Sequence, residues 1–200
     1  MTLHRQSPQL AGLVLAAGAS LRFGTPKPLA EFRGVPLVRR ATAVLGSCCT
    51  AGIFVVAGTA APAIRALLAP DGVQVVSNPD WASGMASSLA CGIRALPATA
   101  DAVLVMPCDL PAVSAEDLYR LVAAWRTAPA LMAAAEFDGH PAPPAIFPRA
   151  IWSQLLLLRG DQGARALLES AAQRSLVAMP AAALDVDTPA ELARLERELG

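Results

Sequence analysis

The sequence lacks several features that would place the protein in a large functional class. It carries no net charge, because 16 basic residues balance 16 acidic residues that are spread along the chain, so no basic patch favours nucleic acid or an anionic membrane. No apolar run reaches the ~18 to 20 residues that are needed to span a bilayer. We therefore expect small molecules or proteins as partners, with no nucleic acid and no membrane.

Cysteine pairs with the spacing of a zinc or redox site are also absent. Cys48, Cys49, Cys91 and Cys108 stand among apolar or small residues, and none of them has CxxC spacing. Cysteines of this kind are typical of buried free thiols in a reducing compartment. We expect a cytoplasmic protein.

The length and the hydrophobic pattern indicate one α/β domain. With 200 residues and 54% hydrophobic content, the chain can bury a full core, and we expect a single domain over residues 1–200 with a flexible N-terminus at 1–10. Short apolar runs alternate with helical stretches, which predicts a parallel sheet covered by helices. The predicted strands are 12–16, 52–57, 73–77 and 102–106, and the predicted helices are 36–45, 60–68, 85–96 and 114–125.

The pattern is less regular after residue 130. Residues 131–137 and 145–147 resemble strands on either side of a proline-rich segment, and helices are predicted near 149–157 and 163–170. The tail LDVDTP begins as a strand and continues as a helix, with Thr188 as its cap and Pro189 at its first position. Ser114, three residues before Asp117, has the spacing of a capping box.

The stretch LVLAAGASLRFGTPKPL, at the end of the first predicted strand, has the composition of an anion-binding loop. Gly18, Ser20 and Gly24 allow a tight turn in which backbone N–H groups converge on an anion. Arg22 can donate to two oxygens at once and Lys27 supplies a compact charge. In an open parallel sheet, ligands bind at this edge, where strands lead into helices.

Two common nucleotide-binding motifs are missing, and one alternative reading of the loop stays open. Neither GxGxxG nor GxxxxGK[ST] occurs, which disfavours a dinucleotide-binding dehydrogenase and a P-loop NTPase. The alternative is a secretion signal, since His4 and Arg5 precede an apolar segment that ends in Ala-Gly-Ala. That segment is short, and its cleavage would delete the first strand of an otherwise regular pattern.

Aspartates follow other predicted strands and indicate a metal site. Asp109 comes directly after the strand 102–106, and Asp187 follows another strand-like run, with Asp185 two residues earlier on the same side of an extended chain. Mg²⁺ on a nucleotide needs only one or two protein carboxylates. We predict Asp109 and Asp187 as the metal ligands, with Asp185 as the alternative to Asp187.

An ordered set of segments resembles the MobA-like nucleotidyltransferases, most closely the molybdenum cofactor cytidylyltransferases. The segments are LAAGASLRFGTPK, NPDWASGMASSL, PCDLP, GHPAPP, RGDQGAR and DVDTPAEL, and they extend from residue 15 almost to the end. The resemblance implies a Rossmann-like three-layer nucleotidyltransferase fold, with helices on both faces of a mostly parallel sheet. It also implies Mg²⁺-dependent transfer of CMP from CTP to the molybdopterin form of the molybdenum cofactor, with release of pyrophosphate.

The resemblance also implies the roles of individual residues. It makes Arg22, Lys27 and Asp109 catalytic, and it places His140 and Asp161 at the phosphorylated pterin acceptor. The form LAAG is associated with cytidine, which would make Ala17 a filter for the base. The implied nucleotide-binding residues are Leu15, Ala16, Ala17, Gly18, Ser20, Arg22, Lys27, Asn78, Gly84 and Ser88.

Other functions fit the same residues. The chemistry could use GTP with the cofactor, or an NTP with a sugar phosphate or phospho-acid, and a non-catalytic cofactor carrier would keep the glycine loop. Contact with a molybdenum enzyme or its maturation factor is implied by resemblance alone. Gly84 could simply start a helix, and Asp161 could cap the helix that follows Gly160.

Overall fold

The computed structural model describes residues 8–199, which form an α/β fold. The strands are β1 (Leu10–Ala16), β2 (Glu31–Phe32), β3 (Val35–Pro36), β4 (Ile53–Ala57), β5 (Gln74–Ser77), β6 (Ala102–Pro107), β7 (Met132–Phe137), β8 (His140–Pro148) and β9 (Arg174–Ala178). The α-helices are α1 (Leu37–Gly46), α2 (Ala61–Leu68), α3 (Met85–Ala95), α4 (Ala115–Thr127), α5 (Trp152–Leu155), α6 (Arg165–Ser170) and α7 (Pro189–Glu198).

Seven strands form one sheet in the order β5-β4-β1-β6-β8-β7-β9. Neighbouring strands from β5 to β6 are parallel, and β9 is parallel to β7. Only β8 runs against its neighbours within this sheet. The carboxyl ends of β1, β4 and β6 therefore meet at one edge, where the loops after these strands can form a common site.

Side chains alternate between two hydrophobic cores along each buried strand. In β1, Leu10 and Val14 pack with α1, α2 and α4, whereas Ala11 and Leu13 pack with α3, α5 and α6 on the other face. Successive side chains of a strand point to opposite faces, so a strand buried on both faces appears as a continuous apolar run. The predicted three-layer arrangement, a mostly parallel sheet between two layers of helices, is confirmed.

Two helices begin as the sequence predicts. Ser114 caps α4, its hydroxyl accepting from the Asp117 amide while the Asp117 carboxylate accepts from the Ser114 amide. Thr188 caps α7 in the same reciprocal way with Glu191, and Pro189 occupies the first helical position. These caps fix where each helix begins, and the second one lies beside the predicted metal ligand Asp187.

The last third of the chain differs from the predictions in four places. The prolines of the predicted loop 140–144 belong to β8, which is one continuous strand with a cis bond between Pro143 and Pro144. The predicted strand at the start of LDVDTP is wrong, because residues 184–187 join no ladder. Strand β9 was not predicted. The α-helices in the regions predicted at 149–157 and 163–170, which are α5 and α6, are shorter than expected.

The N-terminal predictions fall mainly outside the described residues. Residues 1–7, which include the basic residues of the alternative secretion signal, are not described, and Leu10 is already a buried residue of β1 rather than part of a flexible terminus. Over residues 8–199, no helix is long and apolar enough to cross a membrane. The four cysteines are free thiols, and Cys108 is fully buried.

Candidate active site

The loop after β1 is held in a fixed turn by Ser20. Ser20 has a φ of 52° and Gly24 a φ of 74°, both in the left-handed region that glycine adopts at little cost. The Ser20 carbonyl accepts from the amides of Phe23 and Gly24. The Ser20 hydroxyl accepts from the Lys27 amide at 3.0 Å. Ser20 therefore sets the position from which the Lys27 side chain extends.

Four charged side chains meet at the carboxyl edge of the sheet. Lys27 Nζ lies 2.6 Å from Asp109 Oδ2 and 3.0 Å from Asp187 Oδ1. Arg22 Nη2 contacts the other Asp187 oxygen at 2.6 Å. The structure thus brings together the three predicted catalytic residues and both predicted metal ligands, although Arg22 and Asp187 are 165 positions apart in sequence.

Backbone hydrogen bonds place the two carboxylates side by side. The Cys108 amide donates to the Leu15 carbonyl at 3.1 Å, which carries the β1 to β6 pairing one step past the end of β6. The Val186 amide donates to the Asp109 carbonyl at 3.0 Å. Glu191 then accepts from the Asp187 amide at 2.8 Å, so the first turn of α7 fixes the backbone that carries Asp187.

Lys27 and Asp187 keep their charges at neutral pH. Burial lowers the pKa of Lys27, but attraction to Asp109 and hydrogen bonds to Asp109 and Asp187 outweigh it, so the pKa is raised overall. The hydrogen bond from Lys27 lowers the pKa of Asp187, and Arg22 lowers it further. Lys27 is therefore an ammonium and Asp187 a carboxylate.

Asp185 lies near these groups without joining their ion pairs. Burial raises its pKa, and the nearby charges of Asp109 and Asp187 raise it further. The contact between Lys27 and this part of the chain goes to Asp187. Of the two aspartates that the sequence left open, Asp187 is the one whose carboxylate shares a cation with Asp109.

A cleft of about 310 Å³ opens beside the cluster, between the loops that follow β1 and β4. Its lining carries no charged side chain; the polar groups are backbone amides and the hydroxyls of Ser20, Thr25 and Thr59. The volume is at the lower end of the range for small-molecule pockets. A neutral cleft next to two cations suits a nucleoside whose phosphates reach Arg22 and Lys27.

The two alanines of LAAG have different positions. Ala16 lines the cleft. The Ala17 methyl group is buried in the core on the α3 face, in the same cluster as Trp81. A side chain at Gly58 would meet both the Ala17 carbonyl and the Trp81 ring at 3.0 Å. Residue 17 thus contacts the packing behind the cleft rather than the cleft itself.

The segment from Asn78 to Ser88 is tied together by its own hydrogen bonds. The Asn78 amide group is buried and donates to the hydroxyls of Ser87 and Ser88 at 2.9 and 3.0 Å, and its oxygen accepts from the Asp80 amide. These bonds hold the turn after β5 against the start of α3. Asn78 and Ser88 are accordingly not in the ion-pair cluster and do not line the 310 Å³ cleft.

Gly84 joins the predicted nucleoside segment to the predicted acceptor loop. It precedes α3 with a φ of 108°, and a side chain there would lie 2.3 Å from the Gly160 carbonyl carbon. The Ala86 amide donates to the Gly160 carbonyl at 3.0 Å. The helix start is confirmed, and this contact adds a reason for glycine that the sequence did not indicate.

The two predicted acceptor residues lie in separate loops. His140 is exposed at the start of β8, directly after the Asp138–Gly139 turn, and faces Phe137 across the hairpin. Because β7 runs parallel to β6, this hairpin extends at the carboxyl edge. Asp161 follows the Gly160 contact. The prediction that Asp161 caps the next helix is wrong, since α6 begins at Arg165 with Ala164 at its cap.

The donors of the cluster fit a hard divalent cation. No group of three or more histidine, cysteine, aspartate or glutamate side chains with metal-site geometry occurs within the described part of the chain. Asp109 and Asp187, whose oxygens share Lys27, are the pair of carboxylates that would hold a metal here. Mg²⁺ commonly binds through one or two carboxylates, with phosphates and water completing the shell. The Lys27 ammonium already lies between oxygens of both carboxylates, which shows that a cation fits there.

One part of the cleft was not predicted from the sequence. Gly58, Thr59 and Ala60 follow β4 at the same edge and line the cleft opposite the β1 loop. The signal that could have found them is their place directly after a predicted parallel strand. Their residue types alone carry no chemistry that distinguishes them from an ordinary turn.

Together, the three-layer fold and the basic loop that faces the carboxylates of Asp109 and Asp187 define a nucleotidyltransferase of the α/β class. Residues 12–176 match the MobA-like NTP transferase domain. The chain belongs to this family.

The chain is similar to relatives and solved structures whose names describe different functions. A probable molybdenum cofactor guanylyltransferase of Rhodopirellula baltica is 30% identical over 94% of this chain and 92% of that protein. The nicotine blue oxidoreductase of Paenarthrobacter nicotinovorans is 38% identical over 60% of this chain, a match that spans 58% of that relative. The manganese complex of Rv0371C from Mycobacterium tuberculosis has a TM-score of 0.78 at 27% identity, covering 94% of this chain and 98% of that one.

Proposed function

We propose that the protein is a Mg²⁺-dependent cytidylyltransferase that transfers CMP from CTP to the molybdopterin form of the molybdenum cofactor and releases pyrophosphate. The observation that carries the proposal is the Lys27 contact with both Asp109 and Asp187, next to a neutral cleft. The LAAG form of the first motif supports cytidine. The guanylyltransferase relative supports a molybdenum cofactor as the acceptor.

The proposed reaction needs alignment and charge stabilisation rather than a general base. A phosphate oxygen of the acceptor attacks the α-phosphorus of CTP, a new P–O bond forms, and the bond to the β-phosphate oxygen breaks as pyrophosphate leaves. The attacking oxygen is already an anion at neutral pH, so no proton has to be removed from it. What remains is to hold the two phosphates in line and to offset the accumulating charge.

In this proposal the basic residues bind phosphate and the acidic residues bind the metal. Arg22 and Lys27 bind the triphosphate and stabilise the departing pyrophosphate, and the half-buried position of Lys27 strengthens its effect. Asp109 and Asp187 hold Mg²⁺, which supplies Lewis-acid stabilisation of the phosphate oxygens. The manganese complex of Rv0371C supports a divalent metal in a protein of this fold.

The nucleoside and the acceptor occupy different loops in this proposal. The base and sugar lie in the cleft between Ala16 and Thr59. Asn78, Gly84 and Ser88 belong to the neighbouring segment 78–88, which we propose to contribute to nucleoside binding. The pterin-bearing acceptor approaches the hairpin at His140 and the loop at Asp161. A molybdenum enzyme or its maturation factor in the cytoplasm would receive the product.

Two other functions are alternatives to this proposal, and both can be tested with the same purified protein. The first is the same chemistry with another pair, such as GTP with the cofactor or an NTP with a sugar phosphate or phospho-acid, and the guanylyltransferase relative favours GTP among these. The second is a non-catalytic carrier of the cofactor, which would use the cleft without needing the pair Asp109 and Asp187 as metal ligands.

We expect CTP, with Mg²⁺, to stabilise the protein more than GTP, ATP or UTP do. A ligand that binds only the native state adds about 2.7 kcal/mol at 100 times its Kd, and for a chain of this size each kcal/mol raises Tm by about 2 to 4 °C. The measurement is a thermal-shift panel at equal nucleotide concentration, followed by pyrophosphate release with CTP and the molybdopterin acceptor. A larger shift and faster release with GTP would replace CTP by GTP in the proposal.

Ala17→Gly is expected to cost stability but to change the CTP to GTP preference by less than about tenfold. The substitution removes a buried methyl group worth about 0.8 kcal/mol and adds backbone freedom worth about 0.5 to 1 kcal/mol, whereas the methyl group does not line the cleft. Urea unfolding and the thermal-shift panel measure the two effects. Ala19→Gly is the control for the loss of stability, because it removes the same methyl group from an exposed position. A full reversal of preference would show that residue 17 acts on the base directly.

A further inference from the structure

The charge cluster contains the only lysine of the chain. The sequence has a single lysine, Lys27, and every other basic side chain apart from two histidines is arginine. The Lys27 side chain is only 15% exposed, and its ammonium group bridges Asp109 and Asp187. Arg22, which is 72% exposed, approaches the second oxygen of Asp187 from the solvent side. The oxygens proposed to bind metal thus already have cationic partners.

A metal ion and these side chains compete for the same oxygens. Mg²⁺ binds carboxylate oxygens at about 2.0 to 2.1 Å, so an ion on Asp109 Oδ2 would lie within about 5 Å of an ammonium that keeps its present contact. At that separation two like charges in a partly buried site repel strongly. Binding of a bare metal ion therefore requires Lys27 to leave at least one carboxylate.

A triphosphate gives the displaced cations another partner. Ammonium and guanidinium groups bind phosphate oxygens in charge-assisted hydrogen bonds of the same kind as those they make with carboxylates. Lys27 and Arg22 both extend from the loop after β1, whose residues also line the cleft. Both side chains can therefore exchange carboxylate for phosphate without rearrangement of β1 or β6.

We propose that Lys27 and Arg22 are exchangeable counter-ions that couple metal binding to triphosphate binding. Each cation suppresses the binding of a bare metal ion to Asp109 and Asp187, and a triphosphate removes that suppression by taking the cations. This inference rests on the proposed function for its metal and triphosphate, and it adds that each of these ligands strengthens the binding of the other. Because such coupling is reciprocal, Mg²⁺ raises triphosphate affinity by the same factor as triphosphate raises Mg²⁺ affinity.

Removal of the Lys27 charge is expected to tighten metal binding in the absence of nucleotide. An opposite charge within about 4 to 6 Å changes the proton affinity of a carboxylate by 1 to 3 pKa units, and we expect Lys27→Met to bind Mn²⁺ at least about tenfold more tightly than the parent. The measurement is free Mn²⁺ by electron paramagnetic resonance during titration of the full chain, with no phosphate present. Circular dichroism checks that the variant is folded.

The matched control removes one exposed positive charge that takes no part in the charge cluster. Arg194→Gln breaks an exposed contact with Glu198 within α7 and is expected to leave Mn²⁺ affinity within about twofold, since exposed charges interact weakly. Equal or weaker Mn²⁺ binding by Lys27→Met would overturn the inference, and so would equal tightening in Arg194→Gln. The titration involves no turnover and no base, so a failure to use CTP would overturn the proposed function and leave this result standing.

The single lysine also allows a direct readout of the exchange. Protein grown with ¹³C-labelled lysine has one ε-carbon resonance, from Lys27. We expect Mg²⁺ with inorganic triphosphate to shift this resonance clearly, and Mg²⁺ alone at the same concentration to shift it much less. An equal shift with Mg²⁺ alone would show that the metal displaces Lys27 without help from the triphosphate, which contradicts the proposed coupling.

Discussion

Asp109→Asn is expected to lower the rate of pyrophosphate release by at least about 10²-fold while the protein remains folded and still binds nucleotide. The substitution keeps the shape of the side chain and removes the charge that pairs with Lys27 and that we propose to hold the metal. Loss of one preorganised group that stabilises transition-state charge typically costs 10²- to 10³-fold in rate. Pyrophosphate release measures the loss, and the nucleotide thermal shift measures the retained binding.

The neighbouring aspartates provide the comparison for this variant. Asp187→Asn should lose activity to a similar extent, because its carboxylate shares Lys27 with Asp109. Asp185→Asn should retain most of the activity, since no ion pair of the cluster includes Asp185. A loss confined to Asp185→Asn would reassign the second metal ligand. Absence of pyrophosphate release even in the parent protein, with intact nucleotide binding, would favour the carrier.

Gly84→Ala is expected to destabilise the protein by about 3 to 5 kcal/mol. Its φ of 108° and ψ of 174° lie in a region that only glycine occupies readily, which costs about 1 to 3 kcal/mol for other residues. The added methyl group would also lie 2.3 Å from the Gly160 backbone, and relief of such overpacking costs about 1 to 3 kcal/mol more. Urea unfolding should show a lower midpoint with an unchanged slope.

Gly160→Ala is the matched control, because it changes the other partner of the same contact. Gly160 has a φ of 59° with nothing within 4 Å of an added Cβ, so only backbone strain of about 1 to 2 kcal/mol is expected. Equal destabilisation by the two variants would mean that the close contact is not a constraint. If Gly84→Ala does not fold, the soluble yields of the two variants are compared instead. A lower yield of Gly84→Ala than of Gly160→Ala would show that the close contact is a constraint.

The first half of the fold could be predicted because its strands are buried on both faces. β1, β4 and β6 appear as continuous apolar runs with helical stretches between them, and the rule that sites form at strand ends then brings Lys27 and Asp109 together. The Lys27 to Asp109 contact spans 82 positions in sequence. It could still be predicted, since Asp109 lies directly after β6 and Lys27 lies in the loop that follows β1.

The last third could not be predicted, for physical reasons specific to each element. Proline normally interrupts a central strand because it lacks an N–H donor. The part of β8 from 140 to 144 extends past the ladder with β6, which begins at Ala145, so these prolines have a single strand neighbour. β9 contains arginine and serine at the sheet edge. Residues 184–187 look like a strand but make one backbone bond to Asp109.

The contact between Gly84 and Gly160 left no signal in the sequence either. Each glycine fits an ordinary role by itself, one before a helix and one in a loop, and only the tertiary structure shows that their backbones meet. The packing of Ala17 is similar, because the sequence places it in the nucleotide motif but cannot say on which side of the strand end its methyl group lies.

The last helix of the chain completes the charge cluster. Glu191 in its first turn holds the Asp187 backbone, and Leu192 and Leu195 pack with Phe23, the residue that follows Arg22. Both sides of the cluster therefore depend on α7. During synthesis, β1 to β6 leave the ribosome long before α7, so the loop with Arg22 and Lys27 and the pair of Asp109 and Asp187 reach their final positions only once α7 has emerged. A chain that ends before α7 would lack both the hydrogen bond that holds the Asp187 backbone and the packing that holds Phe23.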